Sequence, residues 1–236
     1  ISLNFESEGV KNMKIKPRHE HKMYINMADY ISLVSKLKNI MKPDNNALED
    51  GKYKIRSLYF DNYLDKAVME KLSGVGRREK FRIRLYNNNP NYIKLEKKSK
   101  SNRLCYKESA LLSEDECYNL TNGHYEFLKD KEETIFMELY TKMNYQNLRP
   151  RTIVDYYREA YIYKAGNVRI TFDSNIRMSN NIKGIFNSEL STIPSANAII
   201  LEIKYDGFLP EIIRQIIRID NRNETEFSKY AVSRLV

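Results

Sequence analysis

The sequence predicts an α+β protein in which eight antiparallel strands close into a β-barrel and helices pack outside it. Short runs that alternate apolar and charged residues recur along the chain, and this period is typical of strands. Amphipathic segments with helical spacing lie between and after these runs. We expect residues 1–236 to form one domain, because no repeat of solenoid length and no linker rich in Gly, Ser or Pro divides them.

The clearest predicted strand is 81–85, Phe-Arg-Ile-Arg-Leu, which ends at a turn of three Asn and one Pro. The run 93–98 has the same period, and 104–107 follows it after a short turn, so these three strands are expected to form a meander. Five further runs show the same alternation: 22–25, 53–60, 153–161, 168–173 and 198–205.

Helical spacing predicts a helix at 28–41, opened by Met27 or Asp29, and another at 62–72. In the second segment Leu64, Val68 and Leu72 would share one face. Further helices are predicted at 113–120, which opens with the capping-box pattern Ser-Glu-Asp-Glu, and at 131–143, 210–219 and 228–235.

Basic residues are in excess, with 40 Lys and Arg against 31 Asp and Glu, a net charge of +9. This excess favours a polyanionic partner without choosing among nucleic acid, an anionic membrane surface and a phosphate-rich small molecule. No apolar run of about 18 residues and no signal-peptide layout occurs, so we expect a cytoplasmic protein with no direct membrane insertion. Cys105 and Cys117 lack metal-ligand spacing and are expected to be free thiols.

The charged sides of the predicted strands repeat one motif. Glu-x-Lys occurs at Glu20-x-Lys22, Glu96-x-Lys98 and Glu202-x-Lys204, and Arg82-x-Arg84 is a basic version. A spacing of two places both members on one face of a strand. Further basic residues are expected on the same face: Arg56, Lys100, Lys107, Arg158 and Arg169.

A charged strand face is ordinarily the solvated one, and this remains the alternative for any single strand. The repetition across strands favours a barrel with its charged side inward, because the predicted helices could then cover the apolar sides. Confined like charges repel unless an anion neutralises them, and phosphate chains carry repeated negative charge. Arg matches phosphate oxygens bidentately, and Lys adds mobile point charges.

The few acidic residues of this face are candidate metal ligands. Glu202, with Glu20 or Glu96, would supply the oxygen ligands that Mg²⁺ or Mn²⁺ prefers. The alternative is that each Glu only pairs with its neighbouring Lys. His19 and His21 alternate to the opposite side, where packing or surface roles are expected. No RNA-binding motif accompanies the 18 Tyr, so no nucleic-acid partner is expected.

Eight short motifs, taken in order, resemble a known family. They are Arg18-His19-Glu20-His21-Lys22-Met23-Tyr24, Ser57-Leu58-Tyr59-Phe60-Asp61-Asn62, Arg82-Ile83-Arg84-Leu85-Tyr86, Leu95-Glu96-Lys97-Lys98, Tyr157-Arg158-Glu159-Ala160, Val168-Arg169-Ile170-Thr171-Phe172-Asp173, Leu201-Glu202-Ile203-Lys204 and Phe227-Ser228-Lys229-Tyr230. The family is the polyphosphate polymerase domain of the vacuolar transporter chaperone complex and its bacterial relatives, within the triphosphate tunnel metalloenzyme (CYTH-like) superfamily. The resemblance runs from about residue 18 to residue 230.

The resemblance implies a tunnel barrel that transfers the γ-phosphoryl group of ATP to a growing polyphosphate chain, with Mn²⁺ or Mg²⁺ as cofactor. By position, Glu202 would coordinate the metal and Lys229 would reach in from the terminal helix, with Lys107 a further candidate. The residues implied to hold the triphosphate are Lys22, Arg82, Arg84, Lys98, Arg158 and Arg169.

One position departs from the superfamily pattern. Hydrolases of the superfamily typically open with Glu-x-Glu-x-Lys, whereas Arg18 occupies the first acidic position here. This loss weakens one corner of the metal site and argues against a dedicated triphosphatase.

The alternatives left open are a triphosphatase and a non-catalytic module that binds polyphosphate or inositol phosphates. The expected partners are ATP and polyphosphate or pyrophosphate, and a membrane protein that exports the product is a further candidate.

Overall fold

A computed structural model describes residues 18–101, 104–218, 225 and 227–235 of the chain. Its ten strands belong to one antiparallel sheet, and six α-helices accompany them. The strands are β1 (Arg18–Ile25), β2 (Lys42–Pro43), β3 (Lys52–Asp61), β4 (Arg77–Tyr86), β5 (Ile93–Ser101), β6 (Leu104–Leu112), β7 (Arg149–Tyr163), β8 (Val168–Ser179), β9 (Ile193–Ala196) and β10 (Ile199–Asp206). The α+β class and the antiparallel sheet are confirmed.

Eight strands follow one hydrogen-bonded path, in the order β1-β10-β8-β7-β3-β4-β5-β6. The predicted meander is β4-β5-β6. The short strands β2 and β9 lie off this path, where β2 pairs with β7 and β9 pairs with β8. The alternation of apolar and charged residues did not predict these two strands. Both are too short to show the period of a strand in the sequence.

The prediction of a closed barrel is wrong, because the sheet curls into a half-barrel whose end strands β1 and β6 do not pair within the described part of the chain. The free edge of β1 is instead met by Thr225, whose amide donates to the Lys22 carbonyl at 2.8 Å. Such edge coverage satisfies backbone groups that closure would otherwise pair.

The helices are α1 (Met27–Leu37), α2 (Lys66–Leu72), α3 (Glu114–Thr121), α4 (Thr134–Tyr145), α5 (Glu211–Ile217) and α6 (Lys229–Arg234). Asn26, and not Met27 or Asp29, caps α1, because its side chain accepts from the Asp29 amide in a reciprocal capping box. The capping box predicted at Ser113 is confirmed. Residue 219, where the fifth predicted helix was expected to end, lies outside the described residues.

The helix predicted at 62–72 starts four residues later than expected. The side chains of Asp61 and Asn62 accept backbone N–H groups from the following residues, which builds a turn in place of the first helical turn. Only Val68 of the predicted apolar face is buried, whereas Leu64 and Leu72 are exposed. Local side-chain hydrogen bonds therefore override the helical spacing at this point.

Three apolar clusters flank the sheet, and most of the charged residues predicted for the strands lie on its concave face. One cluster joins the outer face of β3 to β6 with α3 and α4, through residues such as Ile83, Leu95 and Leu139. A second joins β1, β8 and β10 with α1 and α5, through residues such as Leu37 and Leu201. The third lies where α6 enters the concave face and stacks Tyr230 on Tyr59. The predicted placement of helices outside the sheet therefore holds for α1, α3, α4 and α5, while α6 lies within the curl and α2 packs with it in the third cluster.

Candidate functional site

The predicted charged residues converge on the concave face, which we call the lumen. Cross-strand pairing fixes their orientation, since directly opposed residues project to the same side of a sheet. Lys22 faces Glu202, Glu20 faces Lys204, and Lys204 in turn faces Arg169. On the other half of the sheet the opposed pairs are Arg82 with Glu96, Lys98 with Lys107, and Ser57 with Arg84. Lys100 belongs to the same row as Glu96 and Lys98.

Arg56 does not belong to this site, so its prediction as a phosphate-binding residue is wrong. It is directly opposed to Asp155 and Leu85, on the outer face of the sheet. Its Nε and Nη2 donate to the two carboxylate oxygens of Asp155 at 2.8 and 2.7 Å, and its Nη1 donates to the carbonyls of Ile185 and Asn187. Arg56 is 1% exposed and each of its three guanidinium nitrogens donates within the protein, so it anchors the loop around 184–187 to the sheet.

Glu96 holds two of the lumen arginines. Its Oε2 accepts from Arg82 Nε at 2.7 Å and lies 3.7 Å from Arg84 Nη1, while its Oε1 lies 2.5 Å from Lys107 Nζ. Burial opposes ionisation of this carboxyl, but Arg82, Arg84 and Lys107 outweigh it and lower its pKa to about 2. A carboxylate surrounded by three cations positions the guanidinium groups at the lumen surface.

Glu20 and Glu202 form a second carboxylate centre between β1 and β10. Lys22 pairs with both, and Lys204 Nζ lies 3.3 Å from Glu202 Oε1. Burial disfavours the charge of Glu202, but Lys204, Lys22 and Arg158 together hold its pKa well below the ordinary value. Burial lowers the pKa of Lys204 to about 8 despite these two carboxylates, with Lys98 and Arg158 adding repulsion. Burial likewise opposes the charge of Glu20, but Lys204, Lys98 and Lys22 lower its pKa, so both carboxylates are ionised at neutral pH.

This second centre fits a divalent metal better than the predicted set of three Glu does. In the described residues no group of three or more His, Cys, Asp and Glu could hold a metal ion, so Glu96 does not join Glu20 and Glu202 in one cluster. Thr171, directly opposed to Glu202, has a buried hydroxyl oxygen without a hydrogen-bond partner. Two carboxylates with a free hydroxyl suit Mg²⁺ or Mn²⁺, which bind through one or two carboxylates and complete their coordination with phosphate oxygens and water.

Asp173 is a third acidic centre that the sequence reasoning missed. It is fully buried and receives Nε and Nη2 of Arg158 at 2.6 and 2.7 Å. Lys229 reaches in from α6, with its Nζ 2.5 Å from Asp173 Oδ2. Burial opposes the charge of Asp173, but Arg158 and Lys229 lower its pKa. The signal was available, because alternation from Arg169 through Thr171 places Asp173 on the same face.

Three more lumen residues carried no prediction. The hydroxyl of Tyr156 accepts from Arg84 Nη2 at 3.1 Å, and the hydroxyl of Tyr59 accepts from Arg82 Nη1 at 3.3 Å. Lys80 lies two residues before Arg82 and is directly opposed to Lys98. The Arg-x-Arg motif is therefore Lys-x-Arg-x-Arg on the lumen face, a pattern that the sequence shows once the strand is extended to its true start.

Two features noted in the sequence, Arg18 in place of an acidic residue and the pair His19 and His21, involve residues at the rim of the lumen. Arg18 lies 3.5 Å from Asp206 and donates to the Asn167 carbonyl, so the departure from the superfamily pattern provides a rim ion pair. His19 and His21 both stack on Tyr205, on the side opposite Glu20, as expected. Arg169 contacts Asp44 and donates to the Tyr53 hydroxyl at 3.0 Å, which places it at the edge of the site.

Two expectations from composition can be compared with the structure. Cys105 is exposed and Cys117 is buried, and both are free thiols. Among the residues that the structure describes, no helix has the length and apolarity needed to cross a membrane.

Comparison with solved structures finds proteins of similar overall shape. A candidate adenylate cyclase from Bacillus halodurans is 13% identical over 85% of this chain and 86% of its own, with a TM-score of 0.49. A protein from Pyrococcus horikoshii OT3 is 14% identical over 85% of this chain and 84% of its own, with a TM-score of 0.40. A conserved hypothetical protein from Pyrococcus furiosus is 13% identical over 85% of each chain, with a TM-score of 0.41. These TM-scores are too low for the similarity to support any conclusion beyond the strand order described above.

No curated protein matches the sequence. The sequence model of the VTC domain matches residues 17–236, which covers every strand and helix described above. A match of this extent agrees with the motifs that fall on the lumen strands, and we conclude that the chain belongs to the VTC domain family.

Proposed function

We propose that the chain is an ATP-dependent polyphosphate polymerase, which transfers the γ-phosphoryl group of ATP to the end of a growing polyphosphate chain. The observation that supports it best is the excess of basic side chains on one concave face, where Arg82, Arg84 and Arg158 are each held by a buried carboxylate. Fixed cations lose little conformational entropy when an anion arrives and need little reorganisation as charge develops.

Phosphoryl transfer requires in-line positioning and charge neutralisation more than covalent chemistry. An oxygen of the acceptor phosphate attacks the γ-phosphorus, the bond to the β–γ bridging oxygen breaks, and ADP leaves. Arg82 and Arg84 from β4 and Arg158 from β7 would bind the non-bridging oxygens with their guanidinium N–H groups. Lys22, Lys98 and Lys229 approach from β1, β5 and α6 and would neutralise the remaining charge of the two chains.

Glu202 and Glu20 are the residues proposed to hold Mg²⁺ or Mn²⁺, which when bound supplies charge stabilisation at the phosphate oxygens. Lys22 and Lys204 now pair with these carboxylates. Both ammonium groups would be free to turn toward phosphate oxygens once a cation replaces them at the carboxylates. The flexible four-carbon side chain of Lys makes this exchange possible without movement of the backbone.

The test is to incubate the protein with ATP and Mn²⁺ and to separate the products by chain length on a gel. The proposal predicts chains longer than the substrate, and it predicts their loss in Lys22→Ala and Arg84→Ala. Lys129→Ala is the matched control, because Lys129 lies on the surface and pairs only with Glu126 among the described carboxylates. Orthophosphate as the sole product would identify a triphosphatase, and tight polyphosphate binding without turnover would identify a binding module.

A further inference from the structure

Lys80 differs in its surroundings from the lumen cations that a carboxylate holds. Arg82 is held by Glu96, Lys98 by Glu20, and Arg158 by Asp173, all through ion pairs. Lys80 forms no ion pair with any carboxylate of the described residues. It lies in the same row as Arg82 and directly opposite Lys98, so its ammonium group faces other cations. No residue role assigned above uses it.

The charged and titratable groups around Lys80 come from six elements, the sixth being α4, whose Lys142 pairs with Glu79 of β4 at the cavity beside Lys80. Lys98 lies on β5, Arg82 on β4 and Lys22 on β1, and all three disfavour its positive charge. Tyr59 on β3 lies beneath it, with the Lys80 Nζ 5.7 Å from the ring centroid. Lys66 and Glu70 of α2 line a small cavity beside Lys80, where they pair with each other at 3.6 Å. Burial, together with Lys98, Arg82 and Lys22, lowers the pKa of Lys80 to about 7, although Tyr59 opposes the shift.

We propose that Lys80 is a further phosphate-binding residue of the lumen and that a phosphate chain, on entering, drives its protonation. A proton from the buffer forms the third N–H bond of the Nζ ammonium group, which then donates to a phosphate oxygen. The physical reason is that a polyanion replaces the like-charge repulsion around Lys80 by attraction, so the charged form becomes the stable one. This inference rests on the proposed binding of phosphate chains in the lumen.

Tyr59 is the competing proton acceptor. Burial disfavours its phenolate, but Arg82, Lys80 and Arg84 outweigh burial and lower its pKa to about 7. An entering anion would also favour the protonated form of Tyr59, so proton uptake alone does not identify Lys80. The experiment must therefore compare variants of both residues.

The experiment is calorimetric titration of the intact protein with inorganic tripolyphosphate in EDTA, which removes any metal contribution. Each titration is repeated in two buffers of different ionisation enthalpy, which yields the number of protons taken up. We compare the wild type with Lys80→Arg, Lys80→Met and Tyr59→Phe. Protonation of tripolyphosphate and of Lys204 contributes to all four proteins and cancels in the differences.

We expect the wild type to take up about half a proton more than Lys80→Arg near pH 7, since a group of pKa about 7 is about half charged there. The difference should approach one proton near pH 8 and vanish near pH 6. Lys80→Met should bind tripolyphosphate roughly tenfold more weakly than the wild type, because a hydrogen bond to a charged group is lost. Lys80→Arg, which is always charged, should restore the affinity but not the proton uptake.

Equal proton uptake by the wild type and Lys80→Arg would overturn the inference. Loss of the excess uptake in Tyr59→Phe, with its retention in Lys80→Arg, would assign the proton to Tyr59 instead. If tripolyphosphate binds normally and Lys80→Met has the affinity of the wild type, only the role of Lys80 fails. Absence of tripolyphosphate binding in the wild type, both in EDTA and in a parallel titration with Mn²⁺, would overturn the proposed function together with this inference.

Discussion

Glu20 on β1 lies 3.3 Å from Lys98 on β5, measured from Oε2 to Nζ, although these two strands do not pair with each other. The contact crosses the opening of the half-barrel between its two ends. Glu20 also pairs with Lys22 on its own strand and lies 4.0 Å from Lys204 on β10. One carboxylate thus joins the two halves of the lumen.

We predict that Glu20 and Lys98 are energetically coupled. In a double-mutant cycle of Glu20→Gln and Lys98→Met, the coupling should lie at about 0.5–1 kcal/mol, the range for partly exposed ion pairs. The free energies of unfolding are measured by urea denaturation. Additive effects within about 0.3 kcal/mol would show that the contact across the opening contributes nothing.

Arg56 should matter for stability and not for phosphate binding. Arg56→Met leaves Asp155 without its bidentate partner and three carbonyls of the 184–187 loop without a donor, so we expect a loss of about 3–5 kcal/mol in the free energy of unfolding. Arg56→Lys keeps the charge and should lose less. Tripolyphosphate titration of the folded fraction should give wild-type affinity in both, and a weakened affinity would return Arg56 to the binding site.

The stability contributed by Glu96 should depend on pH. Its pKa in the folded protein is about 2, below the ordinary value of 4.5, so its contribution is fully present above about pH 5 and is lost as the pH falls toward 2. The wild type should therefore be more stable than Glu96→Gln at pH 7, and the difference should shrink through pH 4 and pH 3. Denaturant unfolding at these pH values measures it, and a difference that stays constant would contradict the assignment.

Glu202 should determine metal affinity. Glu202→Gln keeps the size of the side chain but removes the charge next to Glu20, and we expect at least a tenfold loss of Mn²⁺ affinity. Electron paramagnetic resonance of free Mn²⁺ measures binding without any assay of turnover. The control is Glu138→Gln on α4, whose carboxylate pairs with Lys97 on the outer face. Equal affinities in the two variants would remove Glu202 from the metal site.

The sequence by itself determined which side chains share a strand face, because the alternation of side chains along a strand depends only on neighbouring residues. Alternation places Glu20 with Lys22, Arg82 with Arg84 and Glu202 with Lys204 on single faces, whatever the rest of the chain does. The same rule places His19 and His21 on the other side, as the structure confirms. Helices with clear caps, such as the one after Ser113, are likewise set by neighbouring residues.

The tertiary structure alone decided which charged faces meet and what each charge contacts. Alternation could not place Arg56 correctly, because the strand of Arg56 is buried on both faces and charge there does not indicate direction. Alternation also could not show that the end strands β1 and β6 do not pair in the described part of the chain, or that α6 brings Lys229 to Asp173. These contacts join residues far apart in sequence, and their free energy depends on burial and on partners that only the folded chain brings within a few ångströms.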